Sequence, residues 1–319
     1  MTNLERQHQL TKELKIRAKK EGFDLVGIAR VPGSSRLKLR NQALQRWLEK
    51  GKHGSMKWME APRRQDISTL LDGVQSLLAV GLNYYVEKEH SKNGLSIARY
   101  AWGRDYHKII EKRLKKIGKW LEIERPNCQW RVCVDSSPLL DKAWAEEAGI
   151  GWIGKHSNLI NQKIGSWFVI GHLLCTEALT PDKPSEPVCG QCQKCIQACP
   201  TKAISEPFVV DSNNCLAYHT IENKSETLPK KIANSMNGWI IGCDICQNIC
   251  PWNIEAMSNN DPEVQPQEWI LNITKEEVFS WNDEDWKNRL KGSALKRIKP
   301  WMWRRNVDSA STKANLKKK

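Results

Sequence analysis

CGQCQKCIQACP at 189–200, a lone Cys215 and CDICQNICP at 243–251 carry the most specific chemical statement in this chain. Cys189, Cys192, Cys195 and Cys199 stand in the order C-x2-C-x2-C-x3-C with Pro200 behind. At that spacing three thiolates cap one iron–sulfur cubane and the fourth serves a second cluster. By the same rule Cys189, Cys192 and Cys195 take their fourth thiolate from Cys250, while Cys199 joins Cys215, Cys243 and Cys246. Eight thiolates suit two 4Fe–4S clusters. Structural zinc is the competing reading, because paired CxxC motifs also bind zinc. A tetrahedral ion, however, has no use for a tight triplet or for a proline after each terminal cysteine.

The other cysteines, Cys128, Cys133 and Cys175, lie in apolar alternating segments and read as buried core. No apolar run approaches the ~20 residues of a membrane span, and the opening MTNLERQHQLTKELK is too charged for an export signal. A soluble chain in a reducing cytoplasm is expected, with thiolates free for metal rather than tied in disulfides. At 319 residues and 40% hydrophobic content the chain can bury two or three cores.

The net charge of +14 is unevenly placed. Residues 287–319 hold twelve Lys or Arg against one acid, Asp308, so this end carries +11 of the total. Clustered cations of that kind fit a polyanion, since each neutralised phosphate releases counterions. Lys296, Arg297, Lys299, Arg304 and Arg305 are the candidate nucleic-acid contacts, and Trp301 and Trp303 among them could stack on unpaired bases. Lys313 and 317–319 read instead as solvated charge.

Periodicity predicts a helix over 4–20, strands at 24–31 and 76–85, and a helix over 105–123. A strand alternating Trp130, Val132 and Val134 ends at Asp135; a helix over 138–148 and a strand over 166–176 follow. Strands alternating with helices indicate a fold of the α/β or α+β class over 1–180. TPDKPSEP has the composition of a linker, a two-cluster module occupies 181–260, and 261–319 is short, helical, tryptophan-rich and basic. The α/β part has to accept the electrons, yet it holds no G-x-G-x-x-G; GIGWIG at 149–154 has the wrong spacing.

RYAWGRDYHK at 99–108, VDSSPLLDKAWAEEAGIGWIGKHSNLI at 134–160, the cysteine module and GSALKRIKPWMWRRN at 292–306 together resemble the epoxyqueuosine reductase family, itself similar in cofactor chemistry to the reductive dehalogenases. DLVGIARV and GKHGSMKWM extend the resemblance to nearly the whole chain. It implies cobalamin, bound without its own base as lower ligand between the α/β part and the cluster module. Trp58, Ala98, Asp135, His156, Leu159, Ile170, Ala217 and Asp244 are the cofactor contacts it suggests. It also implies reduction of an epoxide to an alkene on a modified wobble guanosine, the last step of queuosine synthesis, with a tRNA anticodon stem-loop as substrate. A low-potential electron donor and a monomeric enzyme are expected with it. Members often read GKNT or GKNS where this chain has Gly154-Lys155-His156-Ser157, and many continue into a helical-repeat domain after the segment at 292–297.

Opening an epoxide leaves an alkoxide, which departs badly unless a carboxylic acid protonates it. Asp135, at the end of an apolar strand, is the expected general acid, with a pKa raised by burial; the resemblance gives it the same role. Its alternative is a helix cap, a task that Ser136 or Ser137 could fill. Tyr106 and His107 are candidate neighbours, His156 would face the cofactor or cap a loop, and His219 reads as structural or as a cofactor neighbour rather than a cluster ligand. The rival functions are a cobalamin reductase of a small electrophile, a ferredoxin-like electron-transfer subunit, and a zinc-containing nucleic-acid module.

Overall fold

The computed structural model describes residues 2–90 and 95–311; Lys313 and 317–319, expected to be solvated, lie outside the described residues. Helix α1 (Asn3–Lys20) starts at a capping box between Thr2 and Glu5. It is followed by β1 (Leu25–Arg30), α2 (Ser35–Glu49), β2 (Ser76–Asn83), the short β3 (Ser96–Ile97), α3 (Tyr106–Glu124), β4 (Trp130–Cys133) and α4 (Asp141–Glu147). A hairpin of β5 (Trp152–Ile153) and β6 (Leu159–Ile160) leads to β7 (Phe168–Cys175). Helix α2 has no counterpart among the expected elements, because only Leu37 and Leu44 mark its buried side.

Four strands pair in the order β1-β2-β7-β4, every pair antiparallel. The alternation of helix and strand therefore fixes the layers but not the strand direction. Side chains alternate across β2. Leu78, Val80 and Leu82 pack with Leu10, Leu14, Ile110 and Leu114 of α1 and α3, while Leu77 and Ala79 pack with Leu37, Ala143 and Trp144 of α2 and α4. Covering both faces buries all of β2. Glycines admit the helices closely at two points: a Cβ on Gly171 would lie 2.3 Å from Ile110, and one on Gly27 would lie 2.0 Å from the Ala148 carbonyl. Cys128, Cys133 and Cys175 are buried in these two cores.

After the sheet the chain forms α5 (Lys194–Ala198), the β8 (Ile204–Glu206) and β9 (Val209–Val210) pair, α6 (Leu216–Ile221), α7 (Lys230–Ala233), β10 (Trp239–Ile241) and α8 (Ile245–Asn248). Four α-helices come last among the described residues: α9 (Glu268–Leu271), α10 (Lys275–Ser280), α11 (Asp283–Arg289) and α12 (Pro300–Ser311). A third core joins these helices to β10 and to β3, which pairs with β10 in parallel. Trp269, Trp281, Trp286 and Trp303 meet ring to ring at its centre. Trp303 is fully buried, which corrects its expected role as a stacking platform; Trp301 stays exposed.

The proline-rich segment after β7 is irregular yet anchored. Asp182 accepts from Ile28 N at 2.8 Å and pairs with Lys15, and Ser185 N donates to the Glu146 carbonyl. The polar stretch at 258–267 likewise returns to the first core, where Arg113 pairs with Asp261 and Glu263. Among the described residues no helix is long and apolar enough to cross a membrane.

Candidate active site and cluster cradles

A cavity of about 740 Å³ lies between the end of the sheet and the cysteine module. Of the residues expected to contact the cofactor, Ala98, Asp135, His156, Leu159, Ile170, Ala217 and Asp244 line it. Trp58 does not; it sits on a 3-10 turn, half exposed, under the Arg64 guanidinium. Small residues keep one wall shallow: a Cβ on Gly242 would lie 2.5 Å from that of Ala98. The volume falls within the range of pockets that enclose sizeable organic ligands, and a mainly apolar lining with few polar groups suits a broad macrocycle.

Asp135 follows edge strand β4 and has a left-handed backbone, φ 45°. It caps no helix, since α4 begins at Asp141 without a side-chain cap, so neither Ser136 nor Ser137 fills that position. Its Oδ2 accepts from Tyr106 Oη at 3.0 Å and lies 2.8 Å from His107 Nε2. The other ring nitrogen, Nδ1, is 2.6 Å from Asp105 Oδ1, and Asp105 also caps α3 by accepting from His107 N. Capping thus fixes the imidazole between two carboxylates.

The electrostatics of this cluster reverse one expectation. The hydrogen bond and charge of His107 outweigh burial and hold the Asp135 carboxyl below the usual range, so Asp135 is not an acid raised by desolvation. Burial opposes charge on His107, but hydrogen bonds and charge from Asp105 and Asp135 overcome it and lift the ring to about 9. Burial acts on Asp105 too, and His107 brings it below its ordinary value. Tyr106 is pushed up by burial and by the charge of Asp135. At neutral pH the cluster's mobile proton therefore rests on His107. Asp105 was not among the expected site residues, although Asp directly before Tyr-His at a helix start is a readable N-cap signal.

Farther along the wall, burial and then the charge of Asp135 raise Asp141 to about 8. Lys142 Nζ donates to the Ser157 carbonyl at 2.7 Å, and burial lowers its pKa. Asp244, lifted to about 6 by burial, accepts from Arg99 N at 2.8 Å. His219 is held through both ring nitrogens, by the Asn213 carbonyl and by Asn223, as a structural residue.

Cys199, Cys215, Cys243 and Cys246 line one part of the large cavity. Cys189, Cys192, Cys195 and Cys250 line a second, smaller one, closed by Ile160, Pro251 and Trp252. These are the two crossed sets expected from the spacing. Burial, with the neighbouring thiols adding to it, pushes Cys250 up to about 11 and raises Cys195, Cys215, Cys243 and Cys246. Thiols crowded this way ionise together only around positive charge, a donor set that fits an iron–sulfur cubane. The hydrogen-bonded trio Ser166, Gln247 and Asn253 ties α8 to the start of β7.

The basic end divides. Lys296, Arg297 and Lys299 are exposed. Arg297 pairs with Glu222 at 2.5 Å, and its charge reaches Tyr106 and Asp135 at the cavity. Arg304 turns back to the Trp281 carbonyl and the Trp286 ring. Arg305 is buried, donating to the carbonyls of His219, Asn223 and Ser225, so the expected nucleic-acid contact is instead a brace of the fold.

Residues 64–136 match the family described as epoxyqueuosine reductase QueG, DUF1730, and residues 188–253 match a 4Fe-4S double cluster binding domain. An epoxyqueuosine reductase of Prochlorococcus marinus strain NATL2A is 63% identical over 305 residues, covering 95% of this chain and 98% of that one. One from Synechococcus sp. strain CC9605 is 59% identical over 307 residues, covering 96% of each. The crystal structure of an epoxyqueuosine reductase with an epoxyqueuosine-modified tRNA-Tyr stem loop superposes with a TM-score of 0.86 at 26% identity, over 95% of this chain and 81% of that one.

Proposed function

This chain belongs to the epoxyqueuosine reductase family, and on that premise we propose that it removes the epoxide oxygen of epoxyqueuosine at the wobble position of tRNA, with Asp135 protonating that oxygen. The reaction takes up two electrons and two protons and yields queuosine and water. The observation that carries the reading is the Asp105–His107–Asp135 chain, whose last member, Asp135, lines the same cavity as Cys199, Cys215, Cys243 and Cys246.

Ala98, His156, Leu159, Ile170, Ala217 and Asp244 would hold cobalamin in the large cavity, and the two cysteine sets would hold the clusters. Bound there, cobalamin supplies a reduced cobalt nucleophile for the epoxide carbon, recharged one electron at a time. The protein's part is the proton. As the C–O bond breaks, charge grows on the oxygen; the proton on His107 Nε2 passes to Asp135 Oδ2, and the Asp135 carboxyl gives it up. Asp105 keeps the hydrogen on Nδ1 and so fixes the tautomer that remains. The ring is part exposed, 28%, so solvent can return the proton for the second transfer.

This order of transfer predicts a pH profile. An unperturbed histidine titrates near ~6.5, and His107 is raised to about 9. The stability it contributes is complete below ~6.5 and is lost as pH rises through about 9, whereas Asp105 and Asp135, both lowered, contribute above ~3.9 and lose their share as pH falls through their depressed values. Single-turnover rates should be level at neutral pH and fall with a one-proton slope near pH 9. In His107→Gln the rate should drop and that alkaline limb disappear. A limb unchanged in the variant assigns the titration to another group.

For tRNA, the exposed Lys296, Arg297 and Lys299 are the proposed phosphate partners beside the cavity. Replacing the three with Ala should weaken stem-loop binding and flatten the log–log salt dependence by about 0.7–0.9 for each phosphate no longer neutralised. Arg305→Ala should instead destabilise the fold by about 1–3 kcal/mol, because buried carbonyls lose their donor. Equal affinity and slope in the triple variant would remove these residues from the interface. The function itself is tested by supplying anaerobically reconstituted protein with cobalamin, a low-potential donor and an epoxyqueuosine stem loop, and weighing the nucleoside. Loss of one oxygen is expected; an unchanged nucleoside with both cofactors bound overturns the reading.

A further inference from the structure

The turn of the β5–β6 hairpin separates the two cysteine-lined cavities. It is tight: Ser157 has φ 63°, Gly154 N donates to the Asn158 carbonyl, and Ser157 N donates to the Gly154 carbonyl. On one side Lys155 Nζ holds the carbonyls of Gly190 and Cys192 at 2.6 and 2.9 Å. On the other, Ser157 Oγ donates to the Phe208 carbonyl and Phe208 N to that of Lys155. His156, between these clamps, is 4% exposed and lines both cavities.

One ring nitrogen is committed. Nδ1 accepts from Asn158 N at 3.2 Å, so it carries no hydrogen and the hydrogen of the ring is on Nε2. Nε2 is buried and has no partner among the described residues. A buried N–H without an acceptor is costly, on the order of 1–3 kcal/mol, and such groups ordinarily point at a bound species. The direction follows from the packing. A Cβ on Gly154 would meet Ile160 Cδ1 at 2.4 Å and His156 Cε1 at 3.3 Å. Cε1, which bears Nε2, therefore shares this spot with Ile160, and Ile160 lines only the smaller cavity, where His156 also stands with Cys189, Cys192, Cys195 and Cys250. Lys155, which also lines that cavity, already has its two carbonyls.

We propose that His156 Nε2–H donates a hydrogen bond to a sulfur of the cluster held by Cys189, Cys192, Cys195 and Cys250, and so raises that cluster's reduction potential. Hydrogen bonds to cluster sulfurs favour the more negative, reduced state. The bond ties electron supply to the hairpin that also walls the catalytic cavity. The proposal rests on the cluster reading above.

Iron and sulfide analysis of the anaerobic parent tests that premise separately: a shortfall there sinks the cluster reading and the proposal with it, whereas full iron and sulfide put the role of His156 alone to the test. With both clusters present, pulsed EPR of the reduced parent in H2O and D2O should reveal an exchangeable proton coupled to one cluster, identified as the one that Cys250→Ala removes. His156→Phe should lose that coupling and shift the same cluster's midpoint to lower potential in an EPR-monitored titration. His156→Gln, which keeps an N–H at similar reach, should restore both. Absence of the coupled proton from the parent overturns the proposal and needs no variant. So does an unchanged midpoint in His156→Phe with full iron, or a change confined to the cobalt spectrum.

Discussion

Asp135→Asn is expected to cut single-turnover reduction by about 10²–10⁴-fold, the usual contribution of a general acid, while iron, sulfide and cobalamin contents match the parent. The substitution is chosen for its backbone as much as for its chemistry. Asp135 sits at φ 45°, a region that Asn and Asp enter more readily than other side-chain-bearing residues, so the amide keeps the loop where Ala would strain it. Asn can still accept from Tyr106 and His107, but it cannot take a proton from His107 Nε2 and release it. The same change removes a negative charge that raises His107. His107 should therefore titrate at a lower pH in the variant than in the parent, and any alkaline limb left in the residual activity should move down with it. Turnover within a few-fold of the parent would take Asp135 out of the mechanism.

What could be read from residues alone follows physical range. The strands at 25–30 and 76–83 and the helices at 3–20 and 106–124 announce themselves through local periodicity, and the structure has them within a residue or two. The antiparallel order of the sheet depends on which distant strands pair, and alternation carries no information on that. The cysteine sets were legible because cluster geometry imposes a short, fixed spacing. The proposed acid was legible as a position and misread as an environment: Asp135 ends its strand as expected, but His107, distant in sequence, decides its protonation.

The basic end was the least transparent region, for a related reason. Lys and Arg counts treat each cation alike, yet α12 buries Met302, Trp303, Asn306, Val307 and Ala310 along one side, with Arg305 drawn in beside them. The apolar positions of RIKPWMWRRNV contained that stripe. Composition alone pointed to a polyanion surface, and the cations divide: Lys296, Arg297 and Lys299, ahead of α12, are exposed, while Arg305 braces α6 and the loop that follows.

Cys250→Ala is the second large effect, and it distinguishes crossed from sequential ligation. In sequential ligation, Cys243, Cys246 and Cys250 would share one cluster and the variant would lose it. In the crossed arrangement Cys250 belongs with Cys189, Cys192 and Cys195, whose charges bear on its thiol within the small cavity. Cys243 and Cys246 feel Cys199 and Cys215 instead. Pro251, starting a 3-10 turn, lets the chain turn away directly after Cys250. Iron should fall by about half, with the EPR signal of the Cys189 set gone and that of the Cys199 set kept. Turnover driven by an external donor should then collapse if electrons enter through the missing cluster, whereas cob(I)alamin generated chemically in the cavity should still support a single turnover, because Asp135, His107 and Asp105 are untouched. Loss of the Cys243 and Cys246 signal alone would reverse the ligand assignment.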